Sequence, residues 1–177
     1  RIGLAAPTGK AAARLTESIT RQLQLLPVAE SVKQQIPDQV VTLHHLLGSR
    51  PNTRRFRHHV GNPLPLDILV VDEASMIDLE LFTALLDALL PVTRLVLLGD
   101  KDQLASVEAG SVLGDLCKNA EYGYYSGATR QWLEQNGHTD LNLPFLQEGT
   151  NPPYRLEQPT IMLRPPPRFT AGRGSGQ

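Results

Sequence analysis

The sequence has little of what marks a secreted, membrane-bound or strongly charged protein. It holds one cysteine, Cys117, which excludes an intrachain disulfide framework and fits a reducing compartment. No run of roughly 18 apolar residues occurs, so no membrane-spanning helix and no membrane partner is expected. Neither charge sign is in excess: 17 basic residues face 18 acidic ones, a formal net charge of −1. That balance excludes a global attraction to a polyanion and leaves nucleic-acid contact to local clusters. The first residues, Arg1 to Ala6, lack the charged region, long apolar stretch and cleavage site of a signal peptide. They also lack an initiator Met and open inside what reads as a strand, so a truncated chain is expected. The five histidines, His44, His45, His58, His59 and His138, have no Cys or carboxylate spacing that makes a metal site. What is present is 177 residues, 41% of them apolar, enough for a core in one domain of ordinary size.

Along the chain, Ile2 to Ala6 is a short apolar run ended by Pro7-Thr8-Gly9. Ala12, Leu15, Ile19, Leu23 and Leu26 then recur at helical spacing until Pro27. The pattern predicts a second, weaker helix over Val28 to Ile36 and a short one within Thr42 to Leu47. Arg50 to Pro65 reads as a loop, with a basic and histidine cluster from Arg54 to His59. Leu66 and Ile68 to Val71 predict a buried strand ending at Asp72-Glu73. Asp78 is placed to cap the next helix, whose apolar stripe is Phe82, Leu85, Leu86 and Leu89. Leu95 to Leu98 is another apolar strand, ending at Gly99-Asp100, and Val112, Leu113, Leu116 and Cys117 predict a further helix. Alternating elements with continuous apolar strands imply an α/β fold, a parallel sheet covered on both faces. After about Ala120 the pattern fails. Residues 144–177 hold seven of the fourteen prolines and end in Ala-Gly-Arg-Gly-Ser-Gly-Gln, a composition that predicts no core element.

Ligands bind such sheets at the carboxyl ends of strands, and three polar clusters fall there. The first, Pro7-Thr8-Gly9-Lys10, imitates a phosphate-binding P-loop but is not one. The pattern G-x-x-x-x-G-K-[ST] needs glycine where Leu4 stands and a hydroxyl where Ala11 stands. A capping Thr8, a Gly9 that allows close approach and a helix start still suit an anion, and a nucleic-acid phosphate is a better guess than ATP. An ordinary capped turn describes the same residues equally well. In the second cluster, four apolar residues before Asp72-Glu73 describe a Walker B strand. Asp72 there can hold a magnesium ion beside phosphates, and Glu73 can orient or deprotonate water. The plainer reading is an acidic turn before a helix. In the third, Leu98-Gly99-Asp100-Lys101-Asp102-Gln103, the Gln103 amide can bond a terminal phosphate oxygen or the attacking water. Three clusters on one edge of one sheet make a merely polar turn the poorer account.

These residues carry a resemblance. Ala6-Pro7-Thr8-Gly9-Lys10-Ala11-Ala12-Ala13-Arg14-Leu15 resembles motif Ia of RecD-type helicases of superfamily one. Thr42 to Gly48 resembles motif Ib, Leu69 to Met76 motif II, and Leu98 to Gly110 motif III. The order is the family's, the likeness covers roughly residues 1–120, and it extends to the enterobacterial type through the basic loop at Arg57-His58-His59. The resemblance implies a RecA-like P-loop NTPase sheet lacking its first strand and Walker A loop. It implies an ATP-driven motor moving 5′ to 3′ on single-stranded DNA, acting at DNA ends with RecB and RecC in a cytoplasmic exodeoxyribonuclease V. It gives DNA contact to Pro7, Thr8, Gly9, Lys10, Thr42 and His44. It gives magnesium to Asp72, catalysis to Glu73, and γ-phosphate sensing to Gln103, which thus serves both catalysis and ATP binding. Arg164 to Gly172 resembles the motif IV region, with Arg168 as a phosphate-sensing residue, although Pro165, Pro166 and Pro167 replace strand-compatible residues.

The organisation expected is therefore a partial motor domain over 1–120 and a degenerate or poorly ordered continuation over 121–177. The alternative is a non-catalytic DNA-binding or complex-docking remnant. Arg54, Arg55 and Arg57 read as a solvated loop more readily than as phosphate contacts. Tyr122, Tyr124, Tyr125 and Trp132 read as packing or disorder rather than base-stacking groups, and Cys117 reads as core rather than nucleophile.

Overall fold

A computed structural model of the chain describes residues 1–51, 53, 55–100, 112–117, 123–125, 127–137 and 146–148. It divides into two compact units, Arg1–Asp115 and Leu116–Gln177. In the first, strand β1 (Ile2–Ala6) leads into helix α1 (Gly9–Leu25). Pro27 ends that helix as expected: Leu26 before it is already extended, at φ −68° and ψ 124°. The predicted second helix shrinks to one turn, α2 (Glu30–Lys33), with no buried residue to hold a longer one. Strand β2 (Val41–Thr42) passes directly into α3 (Leu43–Leu47), which Gly48 terminates in the left-handed region at φ 72°. A Cβ on Gly48 would lie 2.6 Å from the Cβ of Arg57, so no other residue fits without displacement.

Strand β3 (Ile68–Val71) is followed by a 3-10 turn (Ala74–Met76), helix α4 (Leu79–Asp87), strand β4 (Arg94–Leu97) and helix α5 (Val112–Leu116). The four strands form one parallel sheet in the order β2-β1-β3-β4. The α/β expectation is met. Two details differ. β4 lies one residue earlier than the apolar run suggests. The buried stripe of α4 is Leu81, Leu85 and Ala88, whereas Phe82 and Leu89 are half-buried and Leu86 is exposed. The run Leu85-Leu86 supports either register, and the structure buries Leu85 and leaves Leu86 exposed.

Burial is uneven over the sheet, although Ala6, on the same face as Ile2 and Val96, is fully buried. Ala5, Leu69 and Val71 share one face and are fully buried. On the other face Ile2 is 42% and Val96 41% exposed. The largest fully buried side chains besides Leu69 and Val71 are Leu43, Leu47 and Leu85, with Leu64, Ile77 and Leu81 nearly as buried. Leucine packing also explains Gly3 in β1: a Cβ there would sit 2.8 Å from the Leu66 Cδ1. Cys117 lies one residue beyond α5 and is half-buried rather than a core residue on the helix face.

In the second unit, strands β5 (Gly123–Tyr125) and β6 (Leu146–Glu148) pair in parallel, with helix α6 (Gly127–Gln135) between them in the chain. The sequence predicts no regular element here, because three-residue strands are too short to show a period. Trp132 on α6 is 60% exposed and is not a packed residue. Arg168 and the rest of 149–177 lie outside the described residues. Among the described residues no helix is long and apolar enough to cross a membrane.

Candidate functional site

Parallel strands send all their carboxyl ends to one edge, so each strand-to-helix handover in the first unit contributes to that edge. Its order follows the sheet. Thr42 closes β2, Pro7 to Lys10 follow β1, Asp72 and Glu73 follow β3, and Leu98 to Asp100 follow β4. Ala6 is in register with Thr42, and Ala5 with Val71. Neighbouring strands in such a ladder run about 4.8 Å apart.

At the β1 end, Thr8 is extended and its Oγ1 accepts the Ala11 N–H at 3.2 Å, while its carbonyl accepts the Ala12 N–H at 3.0 Å. The capped turn is real. It is also open: Gly9 and Lys10 are exposed, and a Cβ placed on Gly9 meets nothing within 4 Å. No acidic residue lies in the first turn of α1 to offset the positive end of its dipole. Lys10 makes no ion pair among the described residues. At the β2 end, Thr42 caps α3, its Oγ1 accepting the His45 N–H at 3.2 Å. His44 is exposed, and its ring lies tilted by 60° on Phe56, centroids 5.9 Å apart. The two rings line a cleft of about 280 Å³ together with Asp78 and Glu80.

The acid pair after β3 is held from both sides. The Asp72 N–H donates to the Ala5 carbonyl at 3.0 Å, toward β1. The Ala74 N–H donates to the Leu98 carbonyl at 2.8 Å, toward β4, and Leu98 returns its own N–H to Val71 at 2.8 Å. Asp72 Oδ1 accepts the Glu73 N–H at 2.9 Å. This fixes one carboxylate oxygen and leaves the other without a partner among the described residues. Glu73 adopts φ 53° and ψ 38°, the left-handed region, which costs a non-glycine residue about 1–2 kcal/mol. Asp78 caps α4 as expected, its Oδ1 accepting the Leu81 N–H at 2.7 Å.

Two residues lie in segments the sequence singles out but receive no role of their own there. Gly99 lies against the turn: a Cβ on it would be 2.7 Å from the Leu113 Cδ2, 3.1 Å from the Ser75 N and 3.2 Å from the Ala74 N. Ser75 is 4% exposed and its Oγ has no hydrogen-bond partner among the described residues. A buried unpaired hydroxyl costs about 1–3 kcal/mol. The only sequence signal was its polar type between Ala74 and Ile77, both buried. The structure thus brings Pro7, Thr8, Gly9, Lys10, Thr42, Asp72 and Glu73 to one edge, with His44 in the first turn of α3. Gln103 lies outside the described residues.

A family model described as an AAA domain matches residues 1–109. The RecBCD enzyme subunit RecD of Mycolicibacterium smegmatis is 56% identical over 117 residues, 66% of this chain and 21% of that protein. The subunit of the same name in Haemophilus influenzae is 53% identical over 141 residues, 77% of this chain and 22% of that protein. The ATP-dependent RecD2 DNA helicase of Deinococcus radiodurans is 41% identical over 119 residues, 67% of this chain and 14% of that protein. The chain therefore spans at most 22% of the length of these relatives. Similar identity to a mycobacterial and a Haemophilus subunit does not single out the enterobacterial type.

Proposed function

The chain belongs to the AAA domain family, and from that premise we propose that it is part of the ATP-hydrolysing motor of a DNA helicase. The motor is a subunit of a RecBCD-type helicase–nuclease acting in double-strand-break repair and recombination, with RecB and RecC as partners and the cytoplasm as its compartment. One observation carries the reading. The acid pair Asp72-Glu73 stands on the same strand edge as the open, uncompensated start of α1, one strand away.

Magnesium-bound ATP supplies the transferable phosphoryl group and the charge neutralisation around it. Magnesium is commonly held by one or two carboxylates together with phosphates and water, and Asp72, with one oxygen tied back and one unpaired, fits that demand. The residues that cradle the phosphates must be others, because the 177 residues contain no G-x-x-x-x-G-K-[ST] run. Glu73 orients the attacking water and accepts its proton. Gln103 reads the γ-phosphate. Pro7, Thr8, Gly9 and Lys10 hold a backbone phosphate of single-stranded DNA at the start of α1, and Thr42 and His44 contact the same strand. In this reading 1–120 is motor and 121–177 its degenerate continuation. The alternative, a non-catalytic remnant, is not favoured, since the relatives are named as enzyme subunits and helicases.

The test starts at the gene. Sequencing upstream of the Arg1 codon and expressing the whole reading frame is expected to give ATP hydrolysis stimulated by single-stranded DNA. Glu73→Gln should lower kcat by about 100- to 10,000-fold while ATP still binds. A frame that encodes a Walker A loop yet gives no DNA-stimulated hydrolysis would transfer the case to the remnant.

A further inference from the structure

Ser75 is the one residue among the described residues with a polar side-chain atom that is buried and unpaired. Its backbone cannot easily move to meet the hydroxyl. The turn that carries it is tied to β1 through Asp72 and to β4 through Ala74. Gly99 lies so close to the Ala74 and Ser75 nitrogens and to the Leu113 Cδ2 that a methyl group on it would force these neighbours to shift. Two residues before Ser75, Glu73 is held in a backbone region that side chains disfavour. The turn therefore stores two unfavourable features at the junction of the two strand ends expected to perform and sense hydrolysis. Such features persist only where the surrounding structure imposes them, and they gather at active sites and switch regions.

We propose that Ser75 is a positioning residue that locks the Asp72-Glu73 turn to the end of β4 in the magnesium–nucleotide-bound arrangement, its hydroxyl there pairing with the backbone of Gly99 or Asp100. This rests on the motor reading above and adds to it a mechanical link between the hydrolytic turn and the segment that follows β4. Ser75 acts through Glu73 and touches no substrate.

The experiment compares wild type, Ser75→Ala and Ser75→Cys in the product of the whole reading frame. It records melting temperature with and without magnesium and a non-hydrolysable ATP analogue, and the kinetics of DNA-stimulated hydrolysis. Without nucleotide, Ser75→Ala should melt no lower than wild type, because an unpaired hydroxyl is being removed. Its nucleotide-induced rise should be smaller. Its KM for ATP should rise by about three- to tenfold, the value of one hydrogen bond lost from the bound state, and its kcat should fall as well because the turn that carries Glu73 is no longer locked. Ser75→Cys, which keeps a weak donor, should lie between the two. A lower melting temperature for Ser75→Ala without nucleotide overturns the proposal, since the hydroxyl would then be a structural group. So does a variant whose nucleotide response and kcat equal those of wild type. If wild type itself shows neither response nor hydrolysis, the motor reading fails first and takes the proposal with it.

Discussion

Glu73 shows how much a single backbone position contributes. It is the one non-glycine residue at positive φ among the described residues, and it is also the proposed base. Glycine adopts this region without steric cost. Glu73→Gly should therefore raise the unfolding free energy by about 0.5–1 kcal/mol while eliminating hydrolysis. Glu73→Gln should lower kcat by roughly the same 100- to 10,000-fold and leave stability where it was. Chemical denaturation of the three proteins checks this; a glycine variant less stable than wild type would mean that contacts of the glutamate side chain impose the conformation. At the β1 end the question is charge. If Lys10 holds a DNA phosphate, Lys10→Ala should weaken single-strand binding for any sequence and flatten the log–log salt dependence by about 0.7. An unaltered slope would leave the Thr8 turn as a helix cap and nothing more.

Among elements, those buried by their own composition were legible and those fixed by a neighbour were not. β1 and β3 appear as apolar runs because they are the central strands of the parallel sheet, and Leu95 to Leu97 of β4 continue the pattern beside them. The caps at Thr8 and Asp78 were legible because a short hydroxyl or carboxylate before a helical pattern has one local use. β2 was not legible: Val41–Thr42 is a strand only because β1 offers it a ladder. The stripe of α4 slipped because a leucine pair satisfies two registers. The carboxyl edge with its acid pair could be read in advance. The left-handed Glu73 and the unpaired Ser75 could not, since both follow from the approach of β4. That approach gives a further prediction. Gly99→Ala meets backbone nitrogens of Ala74 and Ser75, which have no freedom to swing away as the Leu113 methyl does. It should cost about 1–3 kcal/mol of stability and, by displacing the acid turn, lower DNA-stimulated hydrolysis as well. A variant unchanged in urea midpoint and kcat would show that the end of β4 does not press on the turn.

For the whole molecule, the edge carries the proposed water-activating pair, while the 177 residues contain no G-x-x-x-x-G-K-[ST] run. The purified 177-residue chain should accordingly show no DNA-stimulated ATPase; turnover above background that Glu73→Gln abolishes would contradict this. The order β2-β1-β3-β4 also has a consequence for how the two halves of the edge communicate. The proposed DNA-side residues end β2 and β1, and the proposed hydrolytic residues end β3 and β4. Along the covalent chain, Lys10 and Asp72 are separated by the whole crossover through α1, α2, β2, α3 and the basic loop. Across the sheet the ends of β1 and β3 are neighbours, joined by the Asp72 N–H and the Ala5 carbonyl. A disturbance at one half therefore takes its shorter route through hydrogen bonds and packed side chains. Cutting the crossover loop while leaving the sheet intact would sever the longer connection and spare the one that matters.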